Sequence, residues 1–168
     1  MSRELAAVFD RLDTTACVVT TSHEGRLAGC LVTYITGASI DPARLLVLTS
    51  HENLTHELVG RSGVLAVHPL ARGQEAWVRR FGLQSGRDVD KFAGLEWTLG
   101  ETGAPLLAAA PGYLEGRVLA SLPCGDHTAR LVEPVAGALR DPDAIPLRAW
   151  DVYERGEDDP RSRSLFPS

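Results

Sequence analysis

Cysteine is scarce in this chain: Cys17, Cys30 and Cys124 are three in number, far apart and without a CxxC pair. Such an odd, scattered set excludes a disulfide framework and offers no zinc site, so reduced, buried thiols are expected at all three. Long apolar runs are missing as well. The longest, Pro105–Ala110 and Leu45–Leu48, fall far short of the roughly 20 residues that cross a bilayer as a helix. No segment supplies a basic stripe: 17 Lys and Arg stand against 22 Asp and Glu, for a net charge of -5, which argues against a nucleic-acid partner. The N-terminal MSRELAAVFDRLD has no signal-peptide core. A cytoplasmic protein with neither nucleic acid nor membrane as partner is expected.

What is present is enough for one domain with a real core in 168 residues. Leu5, Val8, Phe9 and Leu12 are spaced for a short N-terminal helix over Arg3–Leu12. Ala16–Thr21 and Leu27–Thr36 read as strands joined by a tight turn at His23-Glu24-Gly25, and Leu45–Thr49 as a third, buried strand. Asn53 is placed to cap a helix whose Leu54, Leu58 and Val59 share a face and which Gly60 or Gly63 ends. Val64–Val67 is the next strand. Trp77 and Phe81 share one side of a helix over Gln74–Phe81 closed by Gly82, Ser85–Gly94 holds a short helical turn, and Leu95–Leu99 is a short strand.

Tyr113–Leu122 alternates, with Leu114, Gly116, Val118, Ala120 and Leu122 on one face. His127–Leu139 is a further strand with an edge or bulge at Pro134. From Arg155 the sequence Gly-Glu-Asp-Asp-Pro-Arg-Ser-Arg-Ser is low in apolar residues and is expected to be a flexible tail over 155–168, leaving 1–154 as the folded domain. Six or seven strands with two or three helices predict a mainly β protein, a small barrel rather than a parallel sheet.

The segment Ala28–Val59 is the richest in chemistry. A strand runs into the Ser39-Ile40-Asp41-Pro42 turn, a second strand, and a helix start at Asn53–Thr55, where free N–H groups and the helix dipole favour an anion. Ser39 and Asp41 are equally the residues of an ordinary turn, and Asn53 of an ordinary cap.

Four stretches in this order resemble the flavin reductase-like family, whose members are FMN-binding split β-barrels. They are Gly29-Cys30-Leu31-Val32-Thr33 with Ala38–Pro42, Ser50–Leu58, Asp90-Lys91-Phe92-Ala93-Gly94, and Gly125-Asp126-His127, and the match spans about Thr14 to Leu139. The resemblance implies that the strand at Cys30, Leu31, Val32 and Thr33 grips the isoalloxazine by its backbone. It also implies that Ser39, Asn53 and Thr55 hold the ribityl phosphate, with His51 as an added donor. Lys91 and Phe92 join these as a second tier, each with a plainer reading as solvated charge or core anchor. His127, whose protonation Asp126 can tune, is implied at the nicotinamide side of the ring.

Where members of the family often carry small polar residues, this chain has Leu31, Thr33 and Tyr34. It also has no Lys or Arg after Arg44 and before Gly60, so the phosphate would rest on neutral donors, helped by Arg44 or a second subunit. The implied protein is a homodimeric NAD(P)H-dependent flavin reductase. It would use FMN or FAD with NADH or NADPH, and could supply reduced flavin to a monooxygenase partner. The alternative is a non-catalytic split barrel that binds flavin, heme or deazaflavin.

Overall fold

The computed structural model describes Leu12 and residues 14–154. The expected tail from Arg155, and all of the expected N-terminal helix except Leu12, lie outside the described residues. Strands β1 (Cys17–His23) and β2 (Arg26–Val32) form a hairpin in register from Cys17 opposite Val32 to His23 opposite Arg26. Its two-residue turn, Glu24-Gly25, has positive φ at both positions, the conformation that matches the twist of paired strands.

The expected single strand over Leu27–Thr36 is broken after Val32. Thr14 Oγ1 donates to the Thr33 carbonyl and the Leu48 amide donates to the Tyr34 carbonyl at 3.0 Å, so these two residues bond away from β1. Beyond them β3 (Ile35–Ile40) and β4 (Ala43–Ser50) form a second hairpin. Its turn is only Asp41-Pro42, with a cis peptide, and Ser39 lies within β3 rather than in the turn expected for it.

Helix α1 (Leu54–Ser62) buries Leu54, Thr55, Leu58 and Val59 and ends on Gly63 in the left-handed region, φ 69°, as the spacing predicted. Strand β5 (Val64–Pro69) follows. The helix expected over Gln74–Phe81 is a short α2 (Glu75–Val78) that loosens into a π-helical turn, Arg79–Leu83, which contains Gly82. Strands β6 (Trp97–Leu99) and β7 (Pro105–Leu107) make a small separate sheet. The long strands β8 (Gly112–Cys124) and β9 (His127–Leu139) pair along their length. Helix α3 (Ala149–Glu154), which the sequence reading did not anticipate, ends the described chain.

The main sheet runs β2-β1-β5-β8-β9-β4-β3, all antiparallel. Strands β2 and β3 are joined by two residues yet stand at opposite ends of that order. The sheet must therefore curl until its ends meet, and because β2 and β3 do not pair, the result is a split barrel. Val19, Cys30, Val32, Val47, Val59, Leu65 and Val132 fill its interior. A second cluster of Val18, Leu70, Phe81, Phe92, Leu107 and Leu147 packs on the outer side of β1.

Strand β8 departs from its expected alternation. The register shift at Glu115/Gly116 places an extra residue, Val135, in β9, and the one at Val118/Ala120 places Leu119 in β8 and turns over the side chains that follow it. Glu115 keeps its expected face, opposite Ala66 of β5, and is buried there because the loop around Gly100 covers it, while Leu119 and Leu122 are exposed. The buried Glu115 carboxylate accepts from the Glu101 and Thr102 amides and the Thr102 hydroxyl. The first of these shifts lies opposite Pro134, as its ring predicted. Cys17 and Cys30 are buried free thiols, but Cys124, in the exposed end of β8, is not buried as expected.

Candidate cofactor site

Strand pairing gathers one group of chemically active residues at one end of the barrel. Ser50 at the end of β4 lies opposite His127 at the start of β9, so the turn into α1 sits against the β8–β9 turn. The His51 amide donates to the Asp126 carbonyl at 2.9 Å, and His51 Nε2 is 3.0 Å from Thr128 Oγ1. His127 Nδ1 lies 2.7 Å from Asp126 Oδ1. The carboxylate accepts Nδ1–H, which leaves Nε2 as the position open for further contacts. The same hydrogen bond holds the Asp126 carboxyl below its usual range. The His127 ring meets the Tyr34 ring edge-on at 5.5 Å between centroids, which brings the Thr33–Tyr34 break to the same place.

Asn53 occupies the N-cap of α1 in extended conformation but its side chain makes no capping hydrogen bond. Its carbonyl accepts from the His56 amide at 3.0 Å. First-turn amides of a helix have no partner inside the helix. The donor set at this end is thus first-turn amides, imidazoles and hydroxyls, which suits a phosphate; of the nearby carboxylates, Asp126 is engaged by His127 and Glu57 by Arg61 and Arg87, and Glu52 is exposed. A flavin phosphate fits these residues, and beside them the Tyr34 and His127 rings offer aromatic edges to a flat ring.

Thr55, expected to contact the phosphate, is buried, and its hydroxyl hydrogen-bonds the Cys30 thiol. Burial pushes that thiol up, against smaller opposing effects from Thr55, Lys91 and Arg130. Cys30 and Val32 point into the barrel, so only their backbones can face a ligand. Leu31 packs against Gly82. Lys91 is not the solvated charge of its plainer reading: it is 4% exposed, and Nζ donates to the Gly29 and Phe81 carbonyls at 3.1 and 2.9 Å. Its burial lowers its pKa. Phe92 is a core anchor, edge-on to Phe81 and Trp97.

Ser39 stands apart from this group. It is exposed and lies opposite Arg44, six residues along β4 from Ser50, about 20 Å at strand rise. Arg44 is itself paired with Glu133 at 3.2 Å. Within one chain, neither residue reaches the α1 start.

Two residues went unnoticed in the sequence. Arg130, on β9, is 3% exposed; its Nη1 donates to Thr49 Oγ1 and its Nη2 to the His56 carbonyl at 2.8 Å. Among the described residues no carboxylate lies within ion-pair distance of it, and its Nε is buried without a partner. Burial lowers its pKa. His56 Nδ1 lies 3.3 Å from both Arg130 Nη2 and Thr49 Oγ1, and its ring stacks obliquely on His51 at 4.8 Å. Burial and the nearby Arg130, in that order, hold the His56 pKa below its ordinary value. An Arg within an otherwise apolar strand run, Ala129 to Val132, was the available signal.

A separate cleft of about 470 Å³ lies along the start of β2, lined by Gly25–Gly29 and Gly86–Phe92. The loop on its far side is tied to α1 by Arg87 and Glu57 at 3.2 Å.

Comparison with known proteins matches residues 9–154 to the flavin reductase like domain. An FMN reductase (NADH) from Rhizobium rhizogenes is 34% identical over 134 residues, 80% of this chain and 77% of that protein. The reductase subunit of a flavin-dependent monooxygenase from Rhodococcus jostii is 28% identical over 125 residues, 74% of this chain and 63% of the subunit. Among solved structures, the NADH:FAD oxidoreductase of Streptomyces globisporus superposes with a TM-score of 0.77 at 30% identity, covering 86% of each chain.

Proposed function

Because this chain belongs to the flavin reductase-like domain family, we propose that it is an NAD(P)H-dependent flavin reductase acting on FMN or FAD. When bound, a flavin would supply the hydride-accepting and electron-transfer chemistry. The chain supplies position. The first turn of α1 with His51 holds the phosphate, and the backbone at the end of β2, through Thr33, lies along the ring. His127, oriented by Asp126 through Nδ1, presents Nε2 toward the nicotinamide side. No general acid is required of it, because its part is to orient the two rings for transfer.

The observation that carries this reading is the convergence of the α1 start, whose cap residue leaves its side chain unbonded, with His51 and His127 across the β4–β9 pairing. A homodimer, a monooxygenase fed with reduced flavin, and a cytoplasmic location belong to the same proposal. The Rhodococcus relative, itself a reductase subunit of a monooxygenase, supports the second of these. Three free cysteines suit a reducing compartment.

Anaerobic titration tests the function directly. FMN or FAD mixed with catalytic amounts of the protein should lose its yellow absorbance on addition of NADH or NADPH, faster than without protein. Failure of both flavins to bind, or of both nicotinamides to reduce them, would overturn the reading.

A further inference from the structure

We propose that Arg130 is a positioning residue that holds His56 as the neutral Nε2–H tautomer, so that α1 begins with one more uncharged N–H donor for the phosphate of the flavin. The inference rests on the flavin reading above and adds to it two residues outside the resembling motifs' assigned roles.

A guanidinium donates and cannot accept. Arg130 reaches from β9 to the inner side of α1, fixed at one end by Thr49 Oγ1 and at the other by the His56 carbonyl. From there Nη2 lies 3.3 Å from His56 Nδ1. Thr49 Oγ1, which receives Nη1, lies 3.3 Å from the same ring atom and has its own proton to give. Two donors therefore face Nδ1. A lone pair there is favoured, and a proton on Nδ1 would point at a cation. The single ring proton then belongs on Nε2.

The groups around the imidazole decide whether a second proton is added. The backbone of Thr49 on β4 favours it. Burial, Arg130 on β9, His51 in the turn before α1, and His127 at the start of β9 all oppose it. Glu57, next to His56 in the chain, is paired with Arg61 and Arg87, Glu52 is exposed, Asp126 is engaged by His127, and among the described residues no carboxylate is paired with His56. The ring stays neutral near pH 7, so its donor neither appears nor vanishes with small changes of pH.

Packing alone does not account for Arg130. A buried guanidinium without a carboxylate and with an unsatisfied Nε costs stability that an apolar side chain of similar length would not. His56 is the third residue of α1, and its amide bonds the Asn53 carbonyl, which places it in the first turn, where a phosphate gains most from added donors.

Two measurements decide the proposal. Nitrogen-15 NMR of the histidine rings, on the full chain without flavin, should give a neutral Nε2–H tautomer for His56 at pH 7. An Nδ1–H tautomer or a doubly protonated ring overturns it. The second measurement is the ratio of FMN to riboflavin affinity, since riboflavin lacks the phosphate. His56→Phe and Arg130→Met should each lower that ratio about tenfold with riboflavin binding kept, and Arg130→Met should also mix the His56 tautomers. Arg130→Lys should restore part of both effects. An unchanged ratio in His56→Phe overturns the phosphate role, and that variant decides the point even if Arg130→Met does not fold. Should the unaltered protein bind neither FMN nor riboflavin, the flavin reading itself fails, while the tautomer result stands or falls separately.

Discussion

His127 and His68 are both hydrogen-bonded, yet only one is free to act on a ligand. His127 sits at a strand end with Nδ1 held by Asp126 and Nε2 unused. For His127→Ala we expect flavin binding to be kept and the rate of flavin reduction by NAD(P)H to fall about tenfold, the effect of losing roughly 1.4 kcal/mol of orientation in the transition state. Stopped-flow absorbance of the flavin checks this, and an unaltered rate would return His127 to the role of a turn residue.

His68 is the opposite case. It lies buried between β1 and β7, with Nδ1 3.1 Å from the Val18 carbonyl and Nε2 accepting the Leu107 amide at 3.2 Å. Burial lowers its pKa from 6.5 to about 4. A depressed folded-state value means that its contribution to stability is complete above about pH 6.5 and is lost as pH falls from there toward 4, a drop of order 3 kcal/mol by linkage. Urea midpoints measured between pH 7 and pH 4 should decline, and His68→Gln, which hydrogen-bonds without titrating, should flatten that decline.

At the scale of elements, local patterns were readable where one residue type controls the outcome. The Glu24-Gly25 turn, the α1 helix with its Gly63 terminus, and the irregularity at Pro134 all follow from short-range chemistry. The break at Thr33–Tyr34 does not. Both residues suit a strand, and their carbonyls are diverted by Thr14, 19 residues away in sequence, and by Leu48. The same holds for β8, where a bulge at Leu119 inverts the later part of an alternation that is clear in the sequence and a neighbouring loop buries Glu115. The site was legible as a set of segments rather than as a set of side chains. His51, Asn53 and His127 converge because β4 and β9 pair. Lys91 looks like a surface charge in its acidic setting but is drawn inside by two backbone carbonyls. Arg130 carries no motif, and its relation to His56 exists only once its side chain reaches from β9 to the start of α1.

The whole molecule leaves one strand partly uncovered. Strand β5 pairs with β8 from Leu114 to Arg117, and the Val118 amide still bonds the Gly63 carbonyl. From Leu119 to Cys124 every residue of β8 is exposed, including Leu119 at 48% and Leu122 at 65%. An apolar strand end with an uncovered edge invites pairing with another chain, and a second copy would cover it in the proposed homodimer. Leu122→Glu should then convert the protein from dimer to monomer in light scattering at micromolar concentration. A wild-type chain that is already monomeric there sinks the idea. Ser39 supplies the sharper arm of the same test. It stands about 20 Å along the β3–β4 hairpin from the end of β4, so it can touch the phosphate only if it comes from the other copy. In the dimer Ser39→Ala should weaken FMN binding by about 1 kcal/mol, the worth of one hydrogen bond. In the Leu122→Glu background it should change nothing. An equal loss in monomer and dimer would mean that Ser39 acts within its own chain and would overturn the cross-subunit assignment, and no loss in either would return it to its role in the hairpin.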